Sequence, residues 1–386
     1  LNFAATKTLD RRITFTRDGV GSYIDENGIL KYASNNTPRF DHDPVTGESL
    51  GLLIEESRTN ILYGTPSQSY TVNTYNLYNS LTGEYNATRL AKNASGNNQS
   101  HGSWNWNGNL STTSFVMSVF VKKINHASFF MQVVSSGVGD NLYVYYNIDT
   151  GVTSFTDYSS PGNLTVTRSI ENYPDGWFRL IARVEGFSNA ALHSGFRFGF
   201  AHPSNNSQQY QDSSDEVLVF GAQAEVGNFA TSYIPTHESA TSVTRGVDTA
   251  IIKGTNFTDF YNASESTIFF ESGVPPVTNS KYFTFHGSDG GGTELIEAAA
   301  VSGPGANIFT YADGTVYSNA QVTDSGATTL KYAAGIKAND INLAINGTLG
   351  TTDTSSTQPD ALDKLIIGNY SSGNYYLNTS IKKLSY

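Results

Sequence analysis

The sequence contains no cysteine, so neither a disulfide framework nor a thiolate metal site is available to it. Charge is scarce as well. Only 15% of the 386 residues are Asp, Glu, Lys or Arg, against about 25% in an average soluble protein. Basic residues are the scarcer sign, 23 against 34 acids, giving a net charge of −11. No basic run exceeds pairs such as Lys122-Lys123 and Lys382-Lys383, which argues against a nucleic-acid partner. No apolar stretch approaches the roughly 18 residues of a membrane span, so no membrane insertion is expected. No charged-then-apolar opening reads as a secretory signal. The seven His are scattered, with no two at a metal-ligand spacing on one element.

What fills the chain is Tyr (23), Phe (22), Gly (36) and abundant Ser, Thr and Asn. This mixture suits strands and turns and is poor in helix formers. Period-2 alternation dominates. Residues 114–121, 128–134, 141–148, 152–156, 176–185, 194–201 and 216–225 read as strands. In 176–185, Trp177 is in phase with Arg179, while Phe178, Leu180 and Ala182 share the other face. The run 114–121 has little polar relief on either face, which places it inside a packed layer. A Ser/Thr-rich break at 233–247, opened by Tyr233-Ile234-Pro235, reads as a linker. Strands resume at 248–253 and continue to the end. Residues 294–300 are read as strand despite helical propensity, and a helical turn is expected at 360–363.

The fold class expected is all-β: two tandem antiparallel β-sandwich (jelly-roll) domains behind a short irregular N-terminal segment. The divisions are 1–62, too small to bury its own core and expected to pack on a sandwich or a neighbouring subunit, then 63–245 and 246–386. Arg39, Glu55, Glu56 and Arg58 offer ion pairs that would pin the first segment in place.

Three stretches carry a resemblance. Ile13–Leu30, running into Thr37–Asp43 and Gly51–Asn60, and Gly221–Thr236 with Arg245 following, resemble segments of bacteriophage tail fibres, tail appendages and other virion surface proteins. Ile341–Gly347, Leu365–Gly368 and Tyr376–Leu384 resemble a concanavalin A-like or laminin G-like jelly roll. The resemblance implies a protein of the virion surface whose sandwiches bind glycans or attach to neighbouring subunits; the leading expectation is a non-enzymatic appendage protein, assembled in the host bacterial cytoplasm. It implies a homo-oligomer, often a trimer, whose partners are other virion proteins and a host cell-surface polysaccharide. A structural capsid, tail-fibre or decoration protein is the alternative, and a polysaccharide depolymerase the second.

No contiguous catalytic motif is present in the sequence, and a carboxylate pair drawn from separate loops stays open with 34 acids in the chain. There is no Glu-x-Asp-x-x-Glu run of a jelly-roll glycanase, no nucleophile elbow, no His-Glu-x-x-His and no phosphate loop. A glycan site needs an aromatic face beside amides or carboxylates. Trp104 and Trp106, at i and i+2 among Asn105 and Asn107, offer one, with sandwich core as the competing reading. Tyr370, Tyr375 and Tyr376 on a tip loop offer another. Asp41, Asp43 and Glu48 offer hard oxygen ligands for Ca2+, with an acidic hairpin turn as the competing reading. No other cofactor is expected.

Overall fold

The computed structural model describes residues 1–69, 71–92, 101–106, 114–135, 141–158, 164–186, 193–204, 214–287, 294–301, 305–312, 315–323, 327–359, 361–370 and 375–386. They form two antiparallel β-sandwiches. Every alternating run named above becomes a strand, from Ser114–Lys123 to Glu216–Val226. Leu295–Ala300 is a strand as expected. The helical turn expected at 360–363 is not formed by its described part. Asp360 lies outside the described residues, and Leu362–Ile367 is a strand, because Leu365 and Ile367 are needed in the core.

The first sandwich stacks two six-stranded sheets. One runs Thr153–Asp157, Asn141–Asn147, Ser128–Ser135, His193–Phe200, His101–Trp106, Leu62–Ser69. The other runs Thr165–Asn172, Trp177–Glu185, Ser114–Lys123, Glu216–Val226, Glu84–Lys92, Thr71–Asn79. Phe115, Met117, Val119 and Val121 point into the shared core with Phe129, Phe198 and Leu180. Phe120, on the other face, meets Trp177, Phe220 and Tyr233 under the N-terminal hairpin Gly21–Ile24/Leu30–Ala33. That third layer explains the apolar run: both faces of the strand are covered.

The second sandwich has two seven-stranded sheets. Leu330, Tyr332, Ala334 and Ile336 of Thr329–Lys337 face its core, while the residues between them are more exposed. Asn346 and Gly347 take φ of 48° and 86°, as a tight two-residue hairpin turn requires.

Three strands of this sandwich come from the far end of the chain. Thr14–Thr16 pairs with Thr249–Lys253, Ser49–Ile54 pairs with Thr379–Ser385, and Phe40–His42 pairs with Ser49–Ile54. Gly51 permits this: its φ is +91°, and a Cβ there would stand 1.9 Å from the Ile381 carbonyl oxygen. The N-terminal segment is therefore built into the second sandwich by backbone pairing, beyond the packing expected of it. The first sandwich is an insertion between Ile54 and Thr249. The chain leaves through Arg58–Asn60 and returns through Val243–Arg245, and these two segments pair with each other. The stretch 233–247 that reads as a linker contributes Val243–Arg245 to a two-stranded ribbon, while Tyr233 and Ile234 at its start are buried.

Candidate functional site

The ribbon is anchored by a buried charge network. Arg39 Nη1 lies 2.8 Å from Glu55 Oε2, and its Nη2 donates to Asp248 Oδ2. Arg17 Nη1 is 3.2 Å from Asp248 Oδ1, and Arg245 Nη1 is 2.8 Å from Glu55 Oε2. Ser232, from the first sandwich, donates its N–H and hydroxyl to Glu55 at 2.8 and 2.6 Å. Glu225, also buried, accepts from Thr231 and Gln223 and supplies a further negative charge toward Arg245. Burial by itself would raise the Glu55 carboxyl, but Arg245, Arg39 and the Ser232 bonds outweigh it and hold it at about 2. Burial lowers Arg17 and Arg245 below the ordinary guanidinium value. The network gives fixed geometry more than stability. Of its members, the sequence suggests Arg39 and Glu55. Arg17 and Asp248 are 231 residues apart and carry no local pattern. Their one signal is charge at the ends of apolar strands in a charge-poor chain.

Beside this anchor, an open cleft of about 540 Å³ lies at the border of the two sandwiches. It is lined by Glu56, Ser57, Arg58 and Thr59 of the outgoing segment, Asn228 and Phe229 just after the first-sandwich strand Glu216–Val226, and Val277 of the second sandwich. Glu56 Oε1 lies 2.7 Å from Arg58 Nη2. Asn378 holds Glu56 from the other side, donating to Oε2 at 3.1 Å and accepting the Glu56 N–H at 2.9 Å. The Arg58 guanidinium lies 4.8 Å from the centre of the Phe229 ring. It occupies the space a side chain at Gly227 would need: a Cβ there would fall 1.6 Å from Arg58 Nη1, and Gly227 has φ +143°. Tyr376 borders this charge. Burial, then the Glu56 carboxylate, raises its phenol above the ordinary value.

The sites expected from sequence fare differently. Trp104 is 7% exposed and packs edge-on against Phe196 in the first core, so it is no ligand face. Strand parity puts Trp104 and Trp106 on one side without saying which side is inward. Asn105 is exposed. Trp106 ends the strand His101–Trp106, and Asn107 lies outside the described residues. Tyr370 and Tyr375 do meet, their rings 6.5 Å apart, with His286 against Tyr370 and Lys281 Nζ 5.3 Å from the Tyr375 ring. The calcium set is not assembled. Asp41 accepts from Ile24 N–H at 2.7 Å, Asp43 caps the turn through Val45 and Thr46 N–H, and Glu48 pairs with Lys382. Each carboxylate is used by its own turn or partner, as an acidic hairpin requires, and no metal-binding group of three occurs among the described residues. Burial raises the Asp41 carboxyl to about 6, against the Ile24 bond, which favours the anion.

No family model matches the chain, and no curated protein matches it. Among solved structures it is similar to domains LG4-5 of the mouse laminin alpha1 chain, at 12% identity and a TM-score of 0.28, over 83% of this chain and 89% of that one.

Proposed function

We propose that the chain is a subunit of a bacteriophage virion appendage and that the cleft between its sandwiches receives a host surface polysaccharide. The appendage part of this reading rests on the resemblance of residues 13–60 and 221–236, and the observation that carries the binding part is the cleft itself. It lies where two units meet, and its volume falls within the roughly 300–1,000 Å³ of small-ligand sites. Its polar groups are set before any ligand arrives, since Glu56 and Arg58 sit on a ribbon locked to Glu55 and Arg245. A carboxylate, an amide, hydroxyls and an aromatic ring converge there, the chemistry a saccharide needs. Glu56 is the one acid lining the cleft among the described residues, and it is paired to Arg58. That favours binding over the two-carboxylate hydrolysis of a depolymerase.

The test is retention on immobilised capsular and cell-wall polysaccharides from candidate hosts. Wild-type protein is retained by at least one of them, Arg58→Ala and Phe229→Ala lose retention, and the polysaccharide keeps its length. Retention unchanged in both variants would remove the cleft from the reading. Shortening of the polysaccharide would convert it to an enzyme.

A further inference from the structure

We propose that the cleft takes an uncharged polysaccharide lengthwise, its chain continuing past Tyr376 onto the ring of Tyr375, an inference that rests on the cleft being a saccharide site.

The segment from Tyr375 to Asn378 carries the continuation. Leu377 is buried in the core of the second sandwich, and its two neighbours, Tyr376 and Asn378, both turn to Glu56 at the cleft. Tyr375 departs from this alternation. Its φ is +62°, a left-handed conformation that is costly for a bulky residue. Its carbonyl accepts the Lys281 N–H at 2.8 Å. Lys281 Nζ lies over the ring, 5.3 Å from its centre, and is held there by Glu297 Oε1 at 2.7 Å. The Tyr370 ring meets it at 78°. Tyr375 is nevertheless 53% exposed. A ring fixed on one face by a buried ion pair and still half in water is a platform for the apolar face of a sugar.

The path from cleft to ring is short along both chains that border it. Tyr375 is three residues from Asn378, at most about 11 Å of chain. Lys281 is four residues from Val277 of the cleft wall, whose carbonyl accepts the Ser280 hydroxyl at 3.0 Å.

Charge selects the class of polymer. Each carboxylate on this path already has its cation: Glu56 lies 2.7 Å from Arg58, and Glu297 lies 2.7 Å from Lys281. An acidic sugar would have to break one of these pairs, and a chain at −11 repels a polyanion before contact. Tyr376 keeps its proton, because burial and Glu56 raise its phenol, and so presents a hydroxyl. Hydroxyl, amide and ring face are the partners a neutral sugar uses.

Retention is compared on immobilised neutral and acidic capsular polysaccharides, from about 0.05 to about 0.5 M NaCl. Wild type is expected on a neutral polymer, equally at both ends of that range. Tyr375→Gly removes the ring and suits the left-handed backbone, so the thermal midpoint holds while retention on the polymer falls about tenfold. Di- and trisaccharides of that polymer, which fill only the cleft, bind this variant and wild type alike, and Arg58→Ala binds neither them nor the polymer. Should Tyr375→Gly not fold, the neutral polymer is added to wild type, and slower hydrogen exchange around Tyr375 and Lys281 is expected; unchanged exchange there would overturn the proposal. Polymer retained by Tyr375→Gly as by wild type, with Arg58→Ala defective, would overturn the lengthwise path and leave the cleft as the site. Retention on acidic polymers alone, released by salt, would overturn the neutral class. Retention lost by Tyr375→Gly but kept by Arg58→Ala would overturn the reading of the cleft as well.

Discussion

Arg39 and Glu55 meet at 2.8 Å with both side chains buried, and their pairing ties the N-terminal segment to the point where the chain departs for the first sandwich. Asp248 closes the arrangement from the returning side, accepting the Glu55 N–H at 2.9 Å. Asp248→Ala would leave Arg17 and Arg39 short of a counter-charge in the interior. Urea unfolding is expected to show a loss of about 3–5 kcal/mol, the cost of an uncompensated buried charge.

Acid should dissolve this anchor. Glu55 is depressed from 4.5 to about 2 in the folded chain. Its contribution is complete above the unfolded value and disappears as pH falls toward about 2. Asp41 works in the opposite sense. Its folded value is raised from 3.8 to about 6, so the folded state binds the extra proton and stability declines as pH rises from about 4 to 6. Asp41→Asn keeps an oxygen for the Ile24 N–H and abolishes that decline. Urea midpoints measured at intervals from pH 4 to 7.5 should fall in wild type relative to the variant.

Gly227→Ala should act on the cleft without touching either core. The added methyl displaces the Arg58 guanidinium from the Phe229 ring and strains a backbone at φ +143°. Polysaccharide retention is expected to drop about tenfold while unfolding still occurs as a cooperative transition. A variant that binds like wild type would show that the position of Arg58 is immaterial.

Trp104→Ala tests stability rather than recognition. Removing a large aromatic from the core beside Phe196 costs about 3–5 kcal/mol. The fraction that remains folded should bind polysaccharide as wild type does.

The strands and the two-sandwich architecture were legible because alternation is local: Phe115, Met117, Val119 and Val121 announce an inward face within seven residues. The insertion was not, because a strand such as Ser49–Ile54 reads the same whichever sheet receives it, and Gly51 shows its purpose only against Ile381. The cleft was half visible. Arg58 and Glu56 are two apart and suggest a pair, but Phe229 and Asn378 reach them only through tertiary structure. The tyrosines at 370, 375 and 376 were read as one loop. Folding sends Tyr376 toward Glu56 and leaves Tyr375 beneath Lys281.

The ribbon of Arg58–Asn60 and Val243–Arg245 also makes the molecule exchangeable in parts. The inserted sandwich enters and leaves at one place, where the Ile61 N–H donates to the Ala224 carbonyl at 3.0 Å. Insertions are tolerated when their ends lie together. A lineage that replaced the insert by recombination at these two crossings would keep both sheets of the host sandwich whole and would acquire a new wall for the cleft, provided the new insert again covers the hairpin Gly21–Ile24/Leu30–Ala33 and bonds Glu55 as Ser232 does.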